Sequence, residues 1–328
     1  MRAVYITDFG ALENLEIREI PDLDQPKQKQ VLVRVRAAGL NRADLLQVRG
    51  LYPPPVGYSP NIPGLEFAGE VVSVGSDVTQ WRVGDRVFGI TAGEAQAEYL
   101  LTDESLLTHI PENLTLTAAA SVPEAYITAH DAIFTLGDLN ANKTLLVHAV
   151  GSGVGLAALQ LAKAKGAIVI GTSRTSDKLE KCAKLGLDIA ITSGDEVDMA
   201  AVVKEKTNGL GVDVILDLVG AAYFQQNLES LAPKGRLILV GLVSGRTVDF
   251  NLGLALQKRA SIIGTMLRGR PIGEKTEATL KFAGEVAPLF ASGKIIPNLD
   301  RVFEASDVIG AYKYLESNKS FGKVVLEF

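Results

Sequence analysis

The chain has 328 residues, 47% of them hydrophobic, with 33 Lys and Arg against 38 Asp and Glu for a formal net charge of −5. That length suits two domains and a sizeable core, and the mildly acidic balance without a long basic run argues against a nucleic-acid partner. The opening residues, Met1-Arg2-Ala3-Val4-Tyr5-Ile6-Thr7-Asp8, lack the apolar core of a signal peptide. Cys182 is the only cysteine, so no internal disulfide can form and a cytoplasmic protein is expected. Zinc sites draw their ligands mostly from Cys and His; with one cysteine and the scattered His109, His130 and His148, no metal site is expected.

Residues 1–120 read as β-rich. Val31, Val33 and Val35 alternate with Leu32, Arg34 and Arg36, the period of a half-buried strand. Gly64–Gly75 and Val83–Gly89 are further short strands punctuated by glycine, and together they suggest a small, partly closed barrel. Between them Leu40–Pro63 carries Pro53, Pro54, Pro55, Pro60 and Pro63, which reads as a surface loop. Such loops often hold binding residues. Pro111–Ile133, alanine-rich and threonine-capped, reads as bridging helices.

Thr144–Ala162 contains no charged residue and is long enough to suggest a membrane span. Gly151, Gly153 and Gly155, with His148, Ser152 and Gln160 among them, speak instead for a strand, a tight turn and a helix. A glycine turn lets backbone approach a diphosphate, and the helix that follows points free N–H groups at it. Strands are then expected at Thr144–Ala149, Ala167–Thr172, Ile189–Thr192, Val212–Leu218, Arg236–Val240 and Ser261–Gly264. Helices at Val154–Lys165, Asp177–Leu185, Val197–Thr207, Gln225–Leu231 and Leu252–Lys258 fall between them. Six strands alternating with helices, the glycine turn on the first, make an α/β class: a Rossmann doubly wound parallel sheet. After Gly264 a long helix is expected over Thr276–Ser292, another from a Ser306-Asp307 cap to about Ser317, and a closing strand in Phe321–Phe328.

An acidic residue at the end of the second strand selects NAD by bonding the ribose hydroxyls. Here Ser173 and Arg174 stand in that place, Lys178 lies one helical turn on, and the first acid, Asp177, comes late. A guanidinium suits a 2′-phosphate, so NADP(H) is the expected cofactor.

Asn41-Arg42-Ala43-Asp44, Gly64-Leu65-Glu66, Val83-Gly84-Asp85-Arg86-Val87, Pro123–Ala129, the glycine turn and Gly322-Lys323-Val324-Val325 all match one pattern, in order and from end to end. The chain resembles the zinc-free quinone oxidoreductases of the medium-chain dehydrogenase/reductase superfamily. Zinc-dependent members carry Cys where this chain has Leu40 or Asn41, and His where it has Leu65; their four-cysteine lobe near Gly89–Gln96 is absent.

The resemblance implies a GroES-like β-barrel domain over residues 1–124, the Rossmann NADP-binding domain over 125–262, the barrel domain returning over 263–328, and a homodimer. It places Asn41 and Tyr52 where the nicotinamide meets substrate, and Tyr126 and Thr128 on the nicotinamide side. Ser152, Gly153 and Val154 take the diphosphate; Ser173, Arg174 and Lys178 the 2′-phosphate; backbone around Gly241, Leu242 and Val243 the nicotinamide ribose. Lys323 approaches the cofactor from the C-terminal segment. Many members hold the adenosine phosphate with a Tyr near Ile191–Gly194, which here reads Ile191-Thr192-Ser193-Gly194.

The expected partner is a small-molecule quinone or other electrophile, with neither nucleic acid nor membrane. Asn41 (amide N–H) and Tyr52 (phenol O–H) are suitable donors to an oxygen that gains charge. Two alternatives stand beside NADPH-dependent quinone reduction. One is NADPH-dependent reduction of activated alkenes (enals or enoyl thioesters) with Tyr52 as proton donor. The other is an NADPH-binding sensor or structural protein with little turnover.

Overall fold

The computed structural model describes every residue but Asp195. The first seven strands are β1 (Arg2–Ile6), β2 (Leu15–Glu19), β3 (Gln30–Gly39), β4 (Glu66–Val74), β5 (Arg86–Ile90), β6 (Tyr99–Asp103) and β7 (Leu107–His109). Six follow in the middle of the chain: β8 (Thr144–Val147), β9 (Ile168–Ser173), β10 (Ile189–Thr192), β11 (Val212–Asp217), β12 (Leu231–Leu239) and β13 (Ser261–Gly264). The last two are β14 (Leu299–Glu304) and β15 (Lys323–Glu327). Two units divide them: Met1–Ile127 with Leu267–Phe328, and Thr128–Met266. Residues 125 and 262, where the sequence suggests the junctions, lie inside the helix Pro123–His130 and strand β13.

In the first unit β3 is the hub. Its alternation buries Val31, Val33 and Val35 in a cluster with Phe67, Val71, Trp81, Val87 and Leu100. It pairs antiparallel with β15, β4 and β6, in a sheet ordered β14-β15-β3-β4-β5-β7 with β6 off that path. Two register shifts against β4 bend the long strand, as barrel closure requires. This is the expected GroES-like domain. The returning segment supplies two of its strands. Thr276–Ser292 is two helices, Ile272–Glu285 and Ala287–Ala291, because Pro288 cannot continue the hydrogen-bond ladder of the first.

The second unit is a parallel sheet ordered β10-β9-β8-β11-β12-β13. The order reverses at β8, so β8 and β11 flank the point where doubly wound sheets bind ligands. β12 starts five residues before the expected Arg236, since the register shift against β11 lets Leu231 pair with Val212 across Pro233. Among the described residues no helix is long and apolar enough to cross a membrane.

Candidate active site

Glu66 opens β4 opposite Gly39 at the end of β3 and is fully buried. A buried carboxylate needs partners. Its Oε1 accepts from Asn41 Nδ2 at 3.0 Å and from Lys323 Nζ at 2.5 Å; its Oε2 accepts from the Glu124 N–H at 2.9 Å. A Cβ at position 39 would stand 2.4 Å from Glu66 Oε1 and 2.7 Å from the Ala120 carbonyl, so glycine is required there. Lys323 spends its remaining donors on the Leu40 carbonyl and Asn41 Oδ1, both at 2.6 Å.

The chain leaves β3 through Asn41 into a helix, Arg42–Val48. Asp44 in its first turn accepts the Asn41 N–H at 2.7 Å and the Gly64 N–H at 3.2 Å. Complete burial outweighs those bonds and the charges of Lys323 and Arg268, and pushes the Asp44 carboxyl up to about 6.

Arg268 ties the proline-rich loop to this floor. Buried itself, it donates to the Ala92 carbonyl at 2.7 Å, the Tyr52 carbonyl at 2.9 Å and Gln47 Oε1 at 2.5 Å, with its guanidinium carbon 5.0 Å from the Tyr52 ring centroid. Tyr52 is half-buried, and desolvation raises its phenol against the pull of Arg268, so it stays a proton-bearing donor. Glu124 is partly buried; desolvation first, then the Glu66 carboxylate, pushes it up to about 8. Lys275, on the helix Ile272–Glu285, is only 7% exposed, and burial lowers its ammonium.

Four expectations change here. Leu40–Pro63 is not loop throughout: helix Arg42–Val48 forms because its residues precede the prolines. Asn41 does not present its amide N–H to an open space, because Glu66 takes it. Lys323 is buried with its donors committed to protein oxygens. Tyr126 is a core residue, fully buried, its hydroxyl on the Ile296 carbonyl at 2.7 Å and its ring edge-on to Phe290. Tyr52 keeps the exposure of a ligand-facing group. Glu66, Glu124, Arg268 and Lys275 stood out less in the sequence. Glu66 and Glu124 do interrupt apolar runs, Leu65–Ala68 and Pro123–Ile127, whereas Arg268 and Lys275 sit among ordinary polar neighbours.

In the second unit the glycine turn follows β8. Ser152 caps the helix Gly153–Ala164 by accepting the Gly155 N–H at 3.1 Å, which leaves the first N–H groups, at Gly153 and Val154, without intrahelical partners. A Cβ on Gly155 would stand 2.6 Å from the Ala149 carbonyl, so glycine lets the helix start lie against the strand end. Ser152, Gly153 and Val154 are all partly exposed, and Thr128, at the start of the unit, is too. This cradle fits a diphosphate.

Ser173 ends β9, buried, with its Oγ accepting the Thr175 N–H at 3.3 Å; Arg174 is exposed and Lys178 half-buried. The exposed Leu242 and Val243 follow Gly241, whose N–H bonds the Asp217 carbonyl at 3.2 Å. Beneath them lies a network absent from the sequence reading. Buried His148 bridges Thr172 Oγ1 at 3.0 Å and Asn227 Oδ1 at 2.6 Å, and Asn227 Nδ2 donates to Asp217 Oδ2 at 3.0 Å. Asp217 Oδ1 accepts the Val219 and Gly220 N–H groups at 2.7 and 2.9 Å. The network links the ends of β8, β9 and β11. Burial lowers the imidazole of His148 and raises the Asp217 carboxyl.

Residues 153–284 match the family described as zinc-binding dehydrogenase, and residues 27–129 the alcohol dehydrogenase GroES-like domain. Among the described residues no three His, Cys, Asp or Glu are grouped as a metal would need. The chain is 32% identical to the quinone oxidoreductase of Pseudomonas aeruginosa over 99% of both sequences. It is 33% identical over 97% of its length to erythronolide synthase EryA2 of Saccharopolyspora erythraea, of which it spans 8%. Among solved structures, Escherichia coli quinone oxidoreductase complexed with NADPH superposes with a TM-score of 0.89 at 29% identity, covering 100% of both chains. CurK enoyl reductase does so at 0.88 and 26%, covering 99% of this chain and 98% of its own.

Proposed function

Taking as premise that the chain belongs to the quinone oxidoreductase-like members of the medium-chain dehydrogenase/reductase superfamily, and is an oxidoreductase, we propose that it reduces quinones at the expense of NADPH. The observation that carries the proposal is the end-to-end likeness to a protein named quinone oxidoreductase, over 99% of each sequence. A bound reduced nicotinamide supplies a hydride. The chain's part is to bind, orient and donate hydrogen bonds.

Ser152, Gly153 and Val154 at the helix start hold the diphosphate, and the Gly241–Val243 backbone takes the ribose. Ser173, Arg174 and Lys178 take the 2′-phosphate: the end of β9 carries no acid to repel it, and the exposed Arg174 offers a fork of donors. Thr128 supports the nicotinamide side. Tyr52, held on its loop by Arg268, donates to the acceptor oxygen that gains charge. Asn41 and Lys323 serve that reading from below, by fixing Glu66 and the start of the helix Arg42–Val48. Tyr126 supports it only as core.

A homodimer belongs to the same proposal. β13 is an edge strand with Ile262 39% exposed, and Leu252, Leu256 and Met266 nearby are 72%, 80% and 53% exposed, an apolar face that a second copy would cover. The proposal places the dimer in the cytoplasm.

Reduction of an activated alkene is the second reading, favoured by the likeness to CurK enoyl reductase. Steady-state NADPH oxidation with an ortho-quinone, a 2-alkenal and no acceptor separates the two. Faster turnover with the quinone is expected; turnover with the alkenal alone overturns the quinone assignment.

A further inference from the structure

Three polar side chains of the first unit have no use in its fold. Lys275 is more than nine-tenths buried, yet among the described residues its ammonium makes no hydrogen bond or ion pair. A buried ammonium without a partner is costly, and helix Ile272–Glu285 could carry an apolar residue there. The Glu124 carboxyl and the Tyr52 hydroxyl likewise bond nothing among the described residues, although the Glu124 main chain is anchored on Glu66 at 2.9 Å. The three are electrostatic neighbours: Glu124 acts on both Lys275 and Tyr52, and Arg268, beneath the Tyr52 ring, acts on all of them. The other charges around Glu124 are already paired or hydrogen-bonded: Glu66 with Lys323, and Asp44 with the Asn41 and Gly64 N–H groups. What is left over is one cation, one acid and one phenol.

We propose that Lys275, Glu124 and Tyr52 form the acceptor-oxygen subsite, with Lys275 holding the oxygen that gains charge, Tyr52 donating to it, and Glu124 delivering its proton. The inference rests on the reduced-nicotinamide reading above and names residues for its proton half. Hydride transfer from the reduced nicotinamide brings the acceptor two electrons and leaves an oxyanion. The Glu124 O–H bond breaks, a new O–H bond forms on that oxygen, and the hydroquinone leaves. The Glu124 carboxylate then faces the Lys275 ammonium until a solvent proton restores the acid. Two features support this role. Burial and the Glu66 carboxylate keep Glu124 protonated at neutral pH, with its carboxyl at about 8, and its partial exposure gives it a route to water. The acceptor class that fits is a carbonyl conjugated to an electron-poor ring or alkene, where hydride addition places charge on oxygen.

The test needs no turnover to begin. Catechol, the reduced form of an ortho-quinone, is titrated calorimetrically into the protein without cofactor, for wild type, Lys275→Met, Lys275→Arg and Glu124→Gln, with circular dichroism checking each fold. Lys275→Met should weaken catechol about 10-fold or more, Lys275→Arg should recover part of it, and Glu124→Gln should change it less than about 3-fold. In turnover, wild-type kcat should fall above about pH 8 as Glu124 loses its proton, and Glu124→Gln should lower kcat and abolish that limb while leaving the acceptor KM nearly unchanged. Unchanged catechol binding in Lys275→Met, or a wild-type alkaline limb in Glu124→Gln, overturns the subsite. Absence of NADPH oxidation in the wild type with every acceptor would instead refute the redox reading, and the catechol titration would still decide the subsite.

Discussion

Replacing Lys323 with Met tests whether the Glu66 knot holds the first unit together. Glu66 is 0% exposed and the Lys323 side chain 5%, 2.5 Å apart, so solvent screens neither. Met keeps the aliphatic stem and removes only the charge. The carboxylate then retains the Asn41 and Glu124 N–H donors but faces no cation within bonding distance, and the Leu40 carbonyl and Asn41 Oδ1 lose their donor. Removing one member of a buried pair costs about 3–5 kcal/mol. At about 2–4 °C per kcal/mol for a unit of this size, the melting temperature should drop by roughly 10 °C. Differential scanning calorimetry reads this directly, and Glu66→Gln with Lys323→Met should recover a large part of the loss, because no charge is then stranded. A single-variant drop below about 2 °C, or a double variant worse than the single by the full Glu66→Gln cost, would refute the reasoning.

Three further outcomes follow from the same geometry. Arg174→Ala should cut the preference for NADPH over NADH about 10-fold to 100-fold, the worth of one or two charge-assisted bonds to a phosphate; cofactor titration by fluorescence checks it, and an unchanged ratio removes Arg174 from the 2′-phosphate. Asp44, raised in the folded state to about 6, destabilises the native chain as pH rises from its ordinary value near 4 through 6, by about 3 kcal/mol over roughly two pH units. Chemical denaturation against pH should show that fall, and Asp44→Asn should leave only the share of Glu124, which runs on to about pH 8. His148→Leu should strand Asn227 Oδ1 and Thr172 Oγ1, destabilise the second unit by about 2–4 kcal/mol and weaken NADPH binding through the Asp217–Gly220 turn; tight binding in a destabilised variant would show that the network does not position the cradle.

Most of the fold was legible because its signals are local. Alternating valines made β3, and the run of strands and helices from Thr144 to Gly264 matches the sheet nearly element by element. Pro288 inside the expected long helix was a stop signal overlooked, and the prolines of Leu40–Pro63 masked a helix that ends before the first of them. The site was legible only in part. Tyr52 and the glycine turn carry their chemistry in short stretches, whereas Glu66, Glu124, Lys275, Arg268 and Lys323 meet across hundreds of residues by barrel pairing. Which donors are spent is a property of that pairing. Hence Asn41 and Lys323, attractive as ligand-facing groups in the sequence, turn out to be each other's partners.

The most direct measurement for the central claim is a single turnover. Purified protein saturated with NADPH is mixed with an ortho-quinone in a stopped-flow instrument, and the loss of nicotinamide absorbance is followed, with NADH and a 2-alkenal in parallel. The account predicts a fast, stoichiometric loss with NADPH and the quinone, slower loss with NADH, and little with the alkenal. Absorbance that stays constant with the quinone, or falls only with the alkenal, contradicts it.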